Sequence, residues 1–263
     1  MESIKLAKNI RDLTYKIIHS SQGSHIGSAL SIVDILSVLY DGISTDLKSG
    51  DSANDKFILS KGHGCASLYA TLHCSGFFSK EELFTYGENG SDLMNHISHK
   101  VNGVNFSTGS LGHGLPFAVG IALAKKIKNE KGKVFVVTGD GEFQEGSMWE
   151  SLLIASQFKL DNLVIIIDNN NLQSLTTVEK TINIDFNKTL SSFGSNTFLV
   201  DAHNHNQIKE TLSQINLSEG KPHTIIAKSI KGKGVSFMEN KVEWHYRTLN
   251  DELLSKAIKE NKL

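Results

Sequence analysis

The chain has 263 residues, 39% hydrophobic and 21% charged, with a formal net charge of −1. That is ordinary globular composition, and enough chain for one large α/β domain with a real core. It offers no basic surface for nucleic acid or an anionic membrane, and no apolar run of about 18 residues to span a bilayer.

Residues 3–19 carry apolar positions at Ile4, Leu6, Ile10, Leu13, Ile17 and Ile18, which predicts an ordinary amphipathic helix rather than a secretion signal. A second helix is expected over 31–40. Phe57-Ile58-Leu59 reads as a short buried strand ending at Lys61-Gly62-His63-Gly64, and 65–74 as a helix. Residues 87–113, rich in Gly, Asn, His and Ser, read as a long functional loop. Helix resumes from Gly114 to Lys128, with Pro116 in its first turn, where proline is tolerated. Strands are expected at 133–138, 163–168, 197–201 and 224–230, and helices at 146–158, 205–215 and 250–261. Alternating strands and helices predict an α/β fold: a doubly wound, mostly parallel sheet with helices on both faces. Residues 1–263 read as a single module without linker or repeat. Cys65 and Cys74 lack CxxC spacing and read as free thiols of a reducing compartment, which fits a cytoplasmic protein. The only arginines are Arg11 and Arg247, so bidentate phosphate clamps are scarce.

Residues 139–173 are the most informative stretch. A Gly-Asp-Gly turn directly follows the apolar run 134–137, and an Asn-rich turn follows the run 163–167. Strand, acidic turn, helix, strand, amide-rich turn is one βαβ unit. Its two turns fall at the same carboxyl edge of a parallel sheet, where such sheets bind ligands. Asp140 and Asn170 can therefore meet. With a backbone carbonyl, water and phosphate oxygens they suit an octahedral Mg²⁺ or a Ca²⁺. Gly139 and Gly141 let the backbone approach a pyrophosphate.

Histidines punctuate the other predicted turns: His25 in GSHIGS, His63 in KGHG, His96 in MNHISH and His113 in LGHG. Such residues can act as neutral donors or as acid/base groups near pH 7. His96/His99 and His203/His205 lack a Cys partner or an HExxH frame, which argues against zinc. KSIKGKGVSFM (228–238) lacks the P-loop pattern and is either a basic turn or a functional loop.

The GDG closing some thirty residues later on Asn169-Asn170 resembles the thiamine-diphosphate motif. The likeness extends along the chain. GSHIGSALSIVDILSVLY, LSKGHGCASLYATL, TGSLGHGLPFAVGIALA and GDGEFQEGSMWE resemble the N-terminal, pyrophosphate-binding module of transketolase, with its thiamine diphosphate-binding fold. The resemblance implies that His25, His63 and His96 line a substrate channel and handle sugar hydroxyls and carbonyl, with His63 also beside the cofactor. It places Gly109, Ser110 and Leu111 against the thiamine rings. Asp140, Asn170 and the Leu172 carbonyl would hold the metal, Gly139, Gly141 and Glu142 would flank the diphosphate, and the Gly141 N–H would donate to it. Glu145 would join a carboxylate network at a subunit interface, with Glu150 a second candidate. His245 would be a late active-site histidine near the cofactor. Two departures stand out: Ile26 where the family favours proline, and Tyr246-Arg247 where small residues are common.

Full-length transketolases continue into an aminopyrimidine-binding module that this chain lacks. The resemblance therefore implies one half of a split enzyme. Its partner would be a C-terminal subunit, in an α₂β₂ assembly, and the reaction a two-carbon ketol transfer between sugar phosphates. Three alternatives stay open: a transketolase-type enzyme for an unusual sugar, a 2-oxo-acid decarboxylating subunit, and a non-catalytic assembly subunit.

Overall fold

The computed structural model describes residues 2–43 and 55–262. Five strands, β1 (Lys56–Leu59), β2 (Val134–Gly139), β3 (Leu163–Asn169), β4 (Asn196–Asp201) and β5 (His223–Lys228), form one sheet in the order β1-β2-β3-β5-β4. Every pairing is parallel. The central strands are near-continuous apolar runs because both faces are covered. Side-chain alternation sorts them into two cores. Phe135, Val137, Val164 and Ile166 face one, and Val134, Val136, Ile165 and Ile167 the other. The first core is closed by α1 (Glu2–Ser21), α2 (Ile26–Leu30), α3 (Val33–Val38), α4 (Cys65–Cys74), α5 (Lys80–Leu83), α9 (His205–Gln214) and α10 (Asp251–Lys262). The second is closed by α6 (Gly114–Ile127), α7 (Gly146–Gln157) and α8 (Phe186–Ser192).

Where one helix is expected over 31–40, helix starts earlier, at Ile26, and is broken into α2, α3 and a π turn over Leu39–Ile43. At the first break Ser31 donates its hydroxyl to the buried Asp168 carboxylate at 2.6 Å, a side-chain bond that competes with helix continuation. The short helices α5 and α8 were not expected. Each carries a side-chain cap, Ser79 accepting from the Glu82 N–H and Asp185 from the Lys188 N–H, so their start signals were present in the sequence.

Parallel strands put their carboxyl ends at one edge. The chain leaves β1 at Ser60-Lys61, β2 at Asp140, β3 at Asn170 and β5 at Ser229. These four exits frame the site.

Candidate active site

A cavity of about 390 Å³ opens at that edge. One wall is the pair of turns after β2 and β3. Asp140, only 2% exposed, accepts the Gly141 N–H at 2.8 Å and the Asn171 N–H at 2.5 Å. These bonds tie the two turns together, as the spacing required. They also occupy the Gly141 N–H, which the resemblance had aimed at a diphosphate. Asn170 donates its amide to Asp168 at 3.0 Å and accepts the Leu172 N–H at 2.9 Å, which leaves its carbonyl a second lone pair. Burial, then the Asp168 charge, push the Asp140 carboxyl up to about 6. A desolvated carboxylate of this kind is stabilised by a cation. The oxygens of Asp140, Asn170 and the Leu172 backbone fit a hard divalent ion. Among the described residues no group of three or more His, Cys, Asp or Glu side chains could hold a metal by itself. An ion here would complete its shell with phosphate or water oxygens.

The facing wall is histidine. The His25 ring centroid lies 5.4 Å from that of His63, 5.5 Å from His96 and 5.0 Å from His245. His25 enters α2 with a left-handed φ of 68°. Its N–H donates to the His245 carbonyl at 2.8 Å, stitching the late turn Val242–His245 onto the early loop. His245 is therefore buried rather than a free C-terminal histidine. Clustered imidazoles cannot all charge. Burial first, then neighbouring His96, Lys231 and Lys61, lower His25 to about 4. Burial and Lys231 lower His245 to about 3. His63 is held well below its ordinary value by burial and Lys61, and burial lowers His96. At pH 7 all four are neutral and can both donate and accept.

Two lysines and an aspartate that sequence reasoning passed over organise these walls. Lys61 is ion-paired with Asp168, both fully buried, and donates to the Ser28 carbonyl at 3.1 Å. Asp168 also accepts from Ser31, Ser229 and Asn170. Burial opposes its charge, but Lys61 and these donors hold the carboxyl below its ordinary value. Lys231 donates to His245 Nδ1 at 2.9 Å and to the Gln173 carbonyl at 3.0 Å, with the Leu172 carbonyl at 3.5 Å. An ammonium donor on Nδ1 leaves the His245 proton on Nε2. Burial, then Lys61, lower Lys231 to about 8. The signals were there to find: Lys61 lies two residues past a buried strand, and Asp168 directly follows the apolar run 163–167.

Gly109, Leu111 and Gly139 line the cavity, whereas Ser110 is exposed and is not among its lining residues. Glu142 lines it too, but its carboxylate accepts from Ser60 Oγ at 2.5 Å, Gly112 N–H at 2.9 Å and Gly139 N–H at 3.2 Å. It is a clamp on three turns. Glu145 sits exposed on the rim at the start of α7, and Glu150 is exposed further along that helix. His113 is exposed at the start of α6. Tyr246 stands at the mouth, 58% exposed, its ring 4.7 Å from His245 and 5.9 Å from His25.

A parallel sheet whose edge joins a carboxylate–amide pair to a histidine wall has the architecture of a thiamine-diphosphate-binding module. The family model described as "Transketolase, thiamine diphosphate binding domain" matches residues 3–261. The chain belongs to the transketolase family and is a transketolase-type transferase. It is 37% identical over 263 residues to one subunit of the apulose-4-phosphate transketolase of Phocaeicola vulgatus, covering 99% of this chain and 92% of that one. It is 34% identical over 258 residues to the SqwG subunit of the 6-deoxy-6-sulfo-D-fructose transketolase of a Clostridium species, covering 97% and 94%. Human transketolase is 34% identical over 259 residues, but the match spans only 41% of it. The transketolase structure from Campylobacter jejuni superposes with a TM-score of 0.93 at 30% identity, covering 99% of this chain and 43% of that one. Among the described residues no helix is long and apolar enough to cross a membrane.

Proposed function

We propose that this chain is the diphosphate-binding subunit of a split transketolase, completed by a separate subunit with the aminopyrimidine-binding module in an α₂β₂ assembly. The observation that carries this reading is the single cavity with two unlike walls, a metal-type oxygen set and four neutral histidines. The relatives named as subunits match over nearly their whole length, whereas full-length human transketolase is matched over 41%. When bound, thiamine diphosphate supplies the carbanion-stabilising chemistry. Asp140, Asn170 and the Leu172 carbonyl hold Mg²⁺ or Ca²⁺ against its diphosphate. Gly109 and Leu111, which line the cavity, form the backbone shelf for its rings, with Ser110 turned outward between them. His25, His63 and His96 orient sugar hydroxyls and move a proton at the substrate oxygens, which their neutral state permits. His245 presents Nε2–H to the cavity. Glu145 reaches a carboxylate partner across the subunit interface. The substrates are sugar phosphates and the compartment is the cytoplasm.

A dedicated, unusual sugar is favoured as a variant of this reading by Tyr246. Its ring narrows the mouth, and the relatives named for apulose-4-phosphate and 6-deoxy-6-sulfo-D-fructose are of that specialised kind. The test is to purify the chain with its partner subunit and follow product formation from a ketose phosphate donor and an aldose phosphate acceptor. Two-carbon transfer by the pair and by neither chain alone supports the proposal. Release of CO₂ from a 2-oxo acid without ketol transfer overturns it.

A further inference from the structure

Outside the cavity, under a separate groove of about 600 Å³, lies a buried cluster that the proposed chemistry leaves unused. Asp34 on α3 accepts from Arg11 Nη2 at 2.5 Å, from His205 Nε2 at 3.0 Å and from His203 Nδ1 at 2.8 Å. His203 is the member that reaches further. Its Nε2 accepts the Ile230 backbone N–H at 2.9 Å. A backbone N–H can only donate, so Nε2 is unprotonated and the single ring proton sits on Nδ1, facing Asp34. The imidazole is thus a neutral two-ended bridge with both ends fixed. It joins α3 to the strand β5 exit, and the next residue along is Lys231.

Lys231 needs such anchorage. Its side chain is 1% exposed, crosses to the turn after β3, and carries the ammonium that meets His245 and the Gln173 carbonyl. Two further bonds hold the same turn: Gly232 N–H to the Gly27 carbonyl and Asn240 N–H to the Lys231 carbonyl, each at 2.9 Å. With the His203 bond these fix three consecutive residues, 230 to 232. Without it, the Ile230 donor is left unpaired in a partly buried position, which costs free energy.

We infer that His203 is a positioning residue, which ties the 230–232 turn to Asp34 and so sets Lys231 against His245 and the β3 turn. Lys231 lines the cavity beside the oxygen set that suits a metal–diphosphate, its Nζ 3.5 Å from the Leu172 carbonyl, so its placement bears on cofactor affinity. The test is equilibrium binding of thiamine diphosphate with Mg²⁺ to the assembled enzyme. His203→Ala weakens binding about tenfold, the effect of one orphaned backbone donor. His203→Gln keeps an amide donor for Asp34 and a carbonyl acceptor for Ile230, and stays within about threefold of wild type. Lys231→Met also weakens binding, and adding His203→Ala to it costs less than about twofold more, because His203 acts through Lys231. His203→Leu fills the space without either bond and replaces the alanine variant in the cycle if that one does not assemble. Additive losses in the double variant overturn the inference. So does an unchanged affinity with a lowered melting temperature, which would make His203 merely structural.

Discussion

Replacing Lys61 by Met tests whether the buried pair with Asp168 holds the active-site edge together. The two side chains are 1% and 0% exposed. Methionine keeps most of the stem's volume and removes the ammonium. Asp168 would retain Ser31, Ser229 and Asn170 as donors but lose the Lys61 cation. Breaking a buried pair from one side costs about 3–5 kcal/mol. The three remaining donors keep the loss near the lower end, about 3 kcal/mol. For a domain of this size each kcal/mol is worth about 2–4 °C, so Tm falls by roughly 6–12 °C. Urea unfolding at pH 7, followed by circular dichroism, gives the free energy directly if the m-value is unchanged. Removing both charges with Lys61→Met, Asp168→Asn recovers about 1 kcal/mol or more, because no bare charge is left behind. A single-variant loss below about 1 kcal/mol, the range of exposed pairs, or no recovery in the double variant, would refute the reasoning.

Further outcomes follow from the cavity. His25 and His245, lowered to about 4 and about 3, keep neutral ring resonances above pH 5 in an NMR titration, and a midpoint near 6.5 would contradict the packing argument. A depressed histidine pKa means the unfolded chain binds the extra proton first. Stability is therefore full above about pH 6.5 and is lost as pH falls from there through 4 and 3, which thermal melts across pH 4–8 would show. Tyr246→Gly opens the mouth beside His245, raising KM for the enzyme's own sugar and narrowing its preference over longer ketose phosphates. An unchanged ratio of kcat/KM values would remove Tyr246 from specificity. Glu142→Gln leaves one of the bonds to Ser60, Gly112 and Gly139 unmade and lowers stability by about 1–3 kcal/mol, while a change confined to kcat would mean that Glu142 touches substrate instead.

The sheet was legible because its central strands β2 and β3 are near-continuous apolar runs and the others keep a shorter apolar centre, and the five strand positions lie within a residue or two of their observed bounds. The convergence of Asp140 and Asn170 was legible because topology alone puts both turns at one edge. The histidines were found through motif resemblance, and the structure brings His25, His63, His96 and His245 into one wall. What escaped was pairing across distance. Lys61 and Asp168 are far apart in sequence, and nothing local to either says that a lysine would be fully buried. The same is true of Lys231 with His245, and of Asp34 with His203. The break at Ser31 escaped for the same reason, since the competing acceptor for its hydroxyl lies on β3.

The central claim is that the turns at Asp140 and Asn170 clamp the cofactor's diphosphate through a divalent ion. Thiamine diphosphate binding to the assembled enzyme, with Mg²⁺ and with excess chelator, for wild type and Asp140→Asn, tests it most directly. The account predicts tight binding only for wild type with metal, and a loss of roughly a hundredfold or more in Asp140→Asn, about 2.7 kcal/mol. Wild-type affinity without a divalent ion, or undiminished affinity in Asp140→Asn, would contradict it.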